Sequence, residues 1–122
     1  MTRPFLPHIT LPGAAVAVAA FFVTLSSAQA ASFDCDAAEL KADEKVICNT
    51  RSLNDADVRM ATTFELLSGL MAMGARGTLQ DEQTVWLKKR QACEADVACL
   101  TEAYKARMLD LDKTSKTLSR PL

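Results

Sequence analysis

The sequence CEADVACL, residues 93–100, places two cysteines six positions apart. On one unbroken α-helix the Cα atoms of Cys93 and Cys99 would lie about 9 Å apart, beyond the reach of a disulfide. Asp96 is typical of a helix N-cap, so we predict that the chain turns at Glu94 and Ala95 and that a new helix follows. Such a turn brings the two sulfurs within bonding distance and fixes the angle between two helices.

A second pair of cysteines, Cys35 and Cys48, poses the same problem over a longer loop. A continuous helix would separate them by about 20 Å, so we predict a bend within residues 40–43 and a short helix up to Cys48. Four cysteines allow three pairings, and spacing alone does not select one. We favour the local bridges Cys35–Cys48 and Cys93–Cys99, while a crossed Cys48–Cys93 bridge stays open because an antiparallel hairpin would bring those residues near each other.

The N-terminal segment indicates the compartment in which these cysteines function. Arg3 is followed by a charge-free apolar run at residues 14–25 and then by Ala28-Gln29-Ala30, which has the small-x-small form of a cleavage site. We therefore predict a signal peptide over residues 1–30, cleaved after Ala30, and a periplasmic or secreted product that is free of the membrane. A membrane anchor is the alternative, although the apolar core is shorter than a full span.

The predicted mature chain, residues 31–122, is the length of one small domain and contains all four cysteines. An even number of cysteines in a small exported domain is typical of disulfides rather than of a zinc site. The mature chain has 13 basic and 15 acidic residues, so no basic field predicts nucleic acid as a partner. The only histidine, His8, lies in the signal peptide. We therefore predict no catalytic residues, no metal and no cofactor.

Apolar residues spaced three and four apart predict amphipathic helices, and no alternating strand pattern is present. A first long helix is predicted over residues 52–73 and is ended by the glycines within residues 74–77. Thr78 is the predicted N-cap of a second helix that reaches Cys93. This arrangement predicts an antiparallel helical hairpin with its turn at the two glycines.

A further helix is predicted after Asp96, from apolar side chains at Leu100, Tyr104, Met108 and Leu111. The periodicity is lost over residues 113–122, so we expect a flexible C-terminal tail. The predicted fold is an all-α, disulfide-stapled hairpin or bundle of three to four helices over residues 31–112.

The predicted hairpin implies particular side-chain contacts between the long helices. With the turn at the glycines, Phe64 lies level with Trp86 as an aromatic centre, and Asp57 lies close enough to Arg90 to form an ion pair. Tyr104 is expected at the interface of the second and third long helices. We assign these five residues structural roles, because aromatic side chains at helical spacing are more often core than partner anchors.

An ordered motif runs as Gln83-x-x-Trp86-Leu87-x-x-Arg90-x-x-Cys93 and then as Cys99-Leu100-x-x-x-Tyr104-x-x-Arg107-Met108. With Phe33-Asp34-Cys35, Glu44, Ile47-Cys48, Leu53 and Asp57, it resembles the lysozyme inhibitor LprI family of small exported bacterial domains. The resemblance covers nearly the whole mature chain. It implies an all-helical fold, export and, for some members, inhibition of lysozyme.

The sequence departs from the family pattern at a helix cap and at packing positions, among them Ala56, which replaces a common Leu. Phe64 stands where the family usually has Tyr, and Asp43 takes the place of the Ser or Thr that caps the helix before Glu44.

These observations predict a non-catalytic protein that binds and inhibits lysozyme. Disulfide-fixed helices lower the ordering cost of binding, and acidic side chains favour approach to a basic enzyme. Glu44, Glu94 and Asp96 are the candidate contact residues. The alternative is an envelope structural or adaptor module that binds another periplasmic protein through an exposed apolar patch. Glu39, Asp43 and Glu44 form a carboxylate group that an enzyme would use, but we expect a solvated acidic face there.

Overall fold

A computed structural model describes residues 31–118; the predicted signal peptide and residues 119–122 of the predicted tail lie outside the described residues. Four helices make up this part: α1 (Ala42–Asn49), α2 (Arg51–Leu70), α3 (Met73–Ala92) and α4 (Val97–Leu118). With no strand in residues 31–118, the predicted all-α bundle is confirmed. The helices α2, α3 and α4 run alternately up and down, and the short α1 packs on α2 and α3.

Both predicted local disulfides are present. Cys35 and Cys48 are bonded with their Cα atoms 5.8 Å apart, and Cys93 and Cys99 with theirs 5.6 Å apart. The chain breaks at Glu94, which has the left-handed φ of 50°. Because all four cysteines are paired in this way, the crossed pairing is excluded.

The predicted helix start at Asp96 is also confirmed. Its Oδ1 accepts the backbone N–H groups of Ala98 at 2.9 Å and Cys99 at 3.0 Å, as an N-cap carboxylate does. These bonds satisfy two amides that the first turn of α4 would otherwise leave without partners. The short CEADVACL segment therefore folds as its spacing predicts.

The turn between α2 and α3 is not where we predicted it. The chain reverses over Met71 and Ala72, both extended with ψ of 146° and 157°, rather than over residues 74–77. The predicted cap, Thr78, lies inside α3. Two extended residues suffice for the reversal, and the Nη2 atom of Arg76 donates to the backbone oxygen of Met71 at 3.0 Å. This bond satisfies a carbonyl at the end of α2 without a glycine cap.

The displaced turn changes the register of the hairpin, so the predicted Phe64–Trp86 contact is wrong. Gln83 lies opposite Met60, with 3.2 Å between Nε2 and Sδ. Trp86 instead packs edge to face on Tyr104 with the ring centroids 5.2 Å apart, and its Nε1 donates to a backbone oxygen of α4 at 2.9 Å. Phe64 is half-buried at the edge of the core.

The last helix is longer than the apolar periodicity indicates, so the predicted tail is wrong for residues 113–118. The helix α4 continues to Leu118. Lys113 and Lys116 each pair with an aspartate one turn earlier, at 3.3 and 2.6 Å, which supports a polar helix end. Within residues 31–118, no helix is both long and apolar enough to span a membrane.

One cluster of buried side chains forms the core, with members from all four helices. The members are Ile47, Leu53, Met60, Leu67, Leu79, Trp86, Leu100, Tyr104 and Leu111.

Candidate functional site

A buried ion cluster lies within this core. Asp43 of α1, Asp57 of α2 and Arg90 of α3 are each no more than 3% exposed. The Nε atom of Arg90 donates to Asp43 Oδ2 at 2.9 Å, and Nη1 lies 3.5 Å from Asp57 Oδ1. The predicted Asp57–Arg90 pair is therefore formed, but it is buried and shares its guanidinium with Asp43. A single arginine thus links three helices.

Asp57 collects further donors from two other parts of the chain. Tyr104 of α4 donates its hydroxyl to Oδ1 at 2.7 Å, and the backbone N–H of Ser32 donates to Oδ2 at 2.7 Å. Burial, followed by the hydrogen bond and charge of Asp57, holds the pKa of Tyr104 far above its usual value. Tyr104 therefore remains a neutral donor, and Asp57 organises α2, α3, α4 and the N-terminal arm.

The carboxylates of α1 do not form the solvated face that we expected. Asp43 is buried on Arg90, and Lys41, rather than Asp43, occupies the N-cap position. Glu44 Oε2 accepts the backbone N–H of Lys41 at 2.8 Å, while Oε1 lies 3.8 Å from Arg90 Nη2. The spacing of Asp43 and Ile47 could have predicted this burial, because residues four apart share one helix face and Ile47 is buried. Glu44 is engaged within the fold, which makes it a weaker contact candidate than an exposed carboxylate.

A second buried arginine joins α3 to α4. Arg107 is 3% exposed; its Nε donates to Gln83 Oε1 at 2.9 Å, and Nη1 lies 3.6 Å from Glu82 Oε2. The motif residues Gln83, Trp86, Arg90, Tyr104 and Arg107 therefore contact one another or the same partners inside the bundle. They hold the helices in register, and the carboxylate of Asp57 is closed to solvent.

Five exposed carboxylates lie at one end of the bundle, four on the two disulfide-closed loops and one, Asp34, directly before the first loop. The loops are neighbours because the ring of Phe33 packs on the Arg90 guanidinium, with 5.5 Å between the ring centroid and Cζ, and Arg90 precedes Cys93 by one turn. We call this surface the acidic end; its carboxylates are Asp34, Asp36, Glu39, Glu94 and Asp96, and the exposed Lys41 and Lys45 lie within the first loop as well, so negative charge is in excess. Two of the predicted contact residues, Glu94 and Asp96, belong to it, although Asp96 also caps α4.

The opposite end of the bundle is apolar and exposed. Residues 66–75 form the longest run without a charge in residues 31–118. Leu66, Leu70 and Met73 are 65%, 75% and 86% exposed there. We call residues 66–75 the apolar turn. It was not among the predicted sites, although its lack of charge is visible in the sequence.

No group of three or more His, Cys, Asp or Glu side chains in residues 31–118 is placed to hold a metal ion. No protein-family model, curated protein or solved structure matched the chain. The resemblance to the LprI family, carried by the motif residues, therefore stays a prediction, and function is argued from the two surfaces and the ion cluster.

Proposed function

We propose that the chain is an exported, non-catalytic binding protein that binds and inhibits lysozyme in the cell envelope through its acidic end. The observation that carries this proposal is the placement of four exposed carboxylates on two loops that disulfides close and of a fifth directly before Cys35. A negative surface favours encounter with a cationic enzyme and orients it. Loops that are already ordered lose little entropy on binding.

Two further features support the proposal. The buried ion pair of Arg90 and Asp43 links the start of α1 to the end of α3. It therefore holds the Cys35–Cys48 loop next to the Cys93–Cys99 loop. The resemblance to the LprI family points to the same activity, because some members of that family inhibit lysozyme.

The test is a muramidase assay with the oxidised mature protein and a panel of cationic lysozymes. A variant carrying Asp36→Asn, Glu39→Gln and Glu94→Gln neutralises exposed side chains for which the structure shows no side-chain hydrogen bond. We expect its inhibition to weaken by about tenfold or more, mainly through slower association, and to lose most of its salt dependence.

The matched control carries Glu65→Gln, Asp81→Asn and Asp110→Asn, which change the net charge equally but lie away from the acidic end. It should inhibit like the unaltered protein. Equal losses in the two variants would assign the effect to net charge alone, and absence of inhibition at micromolar excess over every lysozyme in the panel would refute the proposal.

The second candidate function is an adaptor that binds another envelope protein, and the apolar turn is the observation that favours it. Leucines at 66 and 70 lie one helical turn apart on one exposed face. Affinity capture from envelope extract should then give a partner that Leu70→Ser together with Met73→Ser abolishes, while any inhibition of lysozyme is unchanged. A partner that the double variant still captures as well as the unaltered protein does would argue against the apolar turn as the adaptor surface.

A further inference from the structure

The buried ion cluster carries more negative than positive charge. Asp43, Glu44 and Asp57 all face the single guanidinium of Arg90, at 2.9, 3.8 and 3.5 Å. Within residues 31–118 no second lysine or arginine side chain pairs with these carboxylates. Since a buried carboxylate without a full counter-charge is destabilising, a second cation at this position would stabilise the fold.

The N-terminal arm brings one backbone nitrogen to the cluster. The N–H of Ser32 donates to Asp57 Oδ2 at 2.7 Å, and Ala31 is 8% exposed. One residue of chain spans at most about 3.6 Å, so the nitrogen of Ala31 lies within about 6.5 Å of the same oxygen. The arm is held there by the Phe33 ring on Arg90 and by the disulfide from Cys35.

We propose that Asp57 is the binding site for a primary ammonium group that the chain itself supplies, the α-amino group of Ala31 after removal of residues 1–30. Hydrolysis of the bond between Ala30 and Ala31 consumes one water, frees an amine on Ala31 and leaves on Ala30 a carboxyl group that releases its proton to solvent. That amine takes up a proton from solvent and becomes the missing cation. The fold is then completed by export processing, whichever partner the protein binds.

The groups that face this ammonium come from every element around it. Attraction comes from Asp43 and Glu44 of α1 and from Asp57 of α2, and repulsion comes from Arg90 of α3. Tyr104 of α4 stays neutral and donates to Asp57. Three anions against one cation leave a net attraction for the ammonium.

The experiment uses the protein as exported and processed by the cell, with its start determined by mass spectrometry. The N-terminal amine is acetylated in urea at about pH 7, where lysines stay protonated, and the refolded, singly acetylated protein, which keeps its Ser32 N–H, is compared with the free form. We expect the chain to begin at Ala31 and the blocked form to unfold about 4–8 °C lower than the free form. In the free form, the amine should titrate above the roughly 7.7–8.0 of an ordinary α-amino group and return to that range in urea.

Two variants show whether the effect passes through Asp57. In Asp57→Asn, blocking the amine should not lower the unfolding temperature further. Asp36 is an exposed acid in the same arm, so in Asp36→Asn blocking the amine should lower the unfolding temperature as much as in the unaltered protein. If Asp57→Asn does not fold, titration of the amine in the unaltered protein decides. A start at another residue, equal unfolding temperatures for free and blocked forms, or an amine that titrates in the folded chain as it does in urea would overturn the proposal.

Discussion

At the acidic end, two disulfides with sequence separations of 13 and 6 close their loops over a buried ion cluster. At the other end, about 30 Å away along the 20 residues of α2, the apolar turn reverses the chain over two extended residues without a covalent link. The acidic end is polar, is cross-linked by two disulfides and has a strained backbone at Glu94. The apolar turn has no charge and is held only by packing between helices.

The two ends differ in what holds the backbone in place, and so in how much stability a substitution should cost. Loops rich in carboxylates cannot bury apolar surface, so cross-links and the Arg90 cluster hold them in place. In the apolar turn Leu67 is buried, as is Leu79 of α3, and the burial of these two side chains holds α2 against α3. We therefore expect substitutions to cost most where charge is buried and least where helices meet solvent.

The largest effect is expected from Arg90→Met. It removes the only side-chain cation within residues 31–118 that pairs with Asp43 and Asp57, so both buried carboxylates lose their side-chain counter-charge. Breaking a buried ion pair in this way typically costs about 3–5 kcal/mol, a large part of the stability of a small domain. The free energy of unfolding in urea measures the loss.

The matched control is Arg76→Met beside the apolar turn. There the arginine contributes one hydrogen bond to the carbonyl of Met71, so we expect a loss of about 1 kcal/mol. Equal losses for the two arginines would contradict the assigned difference between the ends.

Removal of the disulfides should give the next largest effects, in the order of loop length. Alanine at both Cys35 and Cys48 should cost about 3 kcal/mol, and alanine at both Cys93 and Cys99 about 2 kcal/mol, on the loop-entropy model. Unfolding in guanidinium chloride measures both. Hydrogen exchange of the amides near Met71 should change little in either variant, and faster exchange confined to that turn would show that the ends are coupled more strongly than we infer.

A smaller loss is expected for Tyr104→Phe, which leaves Asp57 Oδ1 without its neutral donor. A hydrogen bond to a charged acceptor contributes about 1.5–3 kcal/mol. Because the pKa of Tyr104 is raised in the folded state, this contribution is fully present below the unfolded pKa of about 10 and is lost as the pH rises beyond it.

The chain has one tyrosine, so the phenolate absorbance that appears on ionisation comes from Tyr104, and the same scan of Tyr104→Phe gives the contribution of Trp86 to be subtracted. Phenolate should appear only as the protein unfolds at high pH, and Tyr104→Phe should remove the corresponding alkaline fall in stability. A reversible titration near pH 10 in the folded protein would contradict the buried hydrogen bond to Asp57.

Short-range geometry explains which structural features the sequence could predict. The spacing of Cys93 and Cys99 excludes an unbroken helix, and Asp96 supplies the cap, so the turn and its bridge follow from local rules. Arg90 was paired correctly with Asp57, since its long side chain reaches across a small error in register. Asp43 was misjudged because its partner lies 47 residues away, and local polarity carries no information on that contact.

The turn predicted at residues 74–77 differs from the observed turn at Met71 and Ala72 for a related reason. Glycine at 74 and 77 favours a helix end, but glycine is also tolerated in the first two turns of a helix at a cost of about 0.5–1 kcal/mol each. Sequence preference could not weigh that cost against the packing of Leu67 and Leu79, which sets where α3 begins. The shift of a few residues then moved Trp86 away from Phe64 and onto Tyr104.

The smallest predicted effects come from removing a glycine near the apolar turn and introducing one at the acidic end. Gly77→Ala should stabilise the protein by about 0.5–1 kcal/mol, because the residue is helical, has no positive φ, and an added Cβ meets nothing within 4 Å. Glu94→Gly should stabilise by up to about 1 kcal/mol, since glycine adopts the φ of 50° without the steric cost that glutamate has there.

Thermal unfolding of the two single variants and of the double variant tests this pair. Additive gains are expected, because the sites lie at opposite ends of α3 and share no partner. If Gly77→Ala instead destabilised the protein, residues 74–77 would be acting as the turn after all, and the register that places Gln83 on Met60 and Trp86 on Tyr104 would have to change with it.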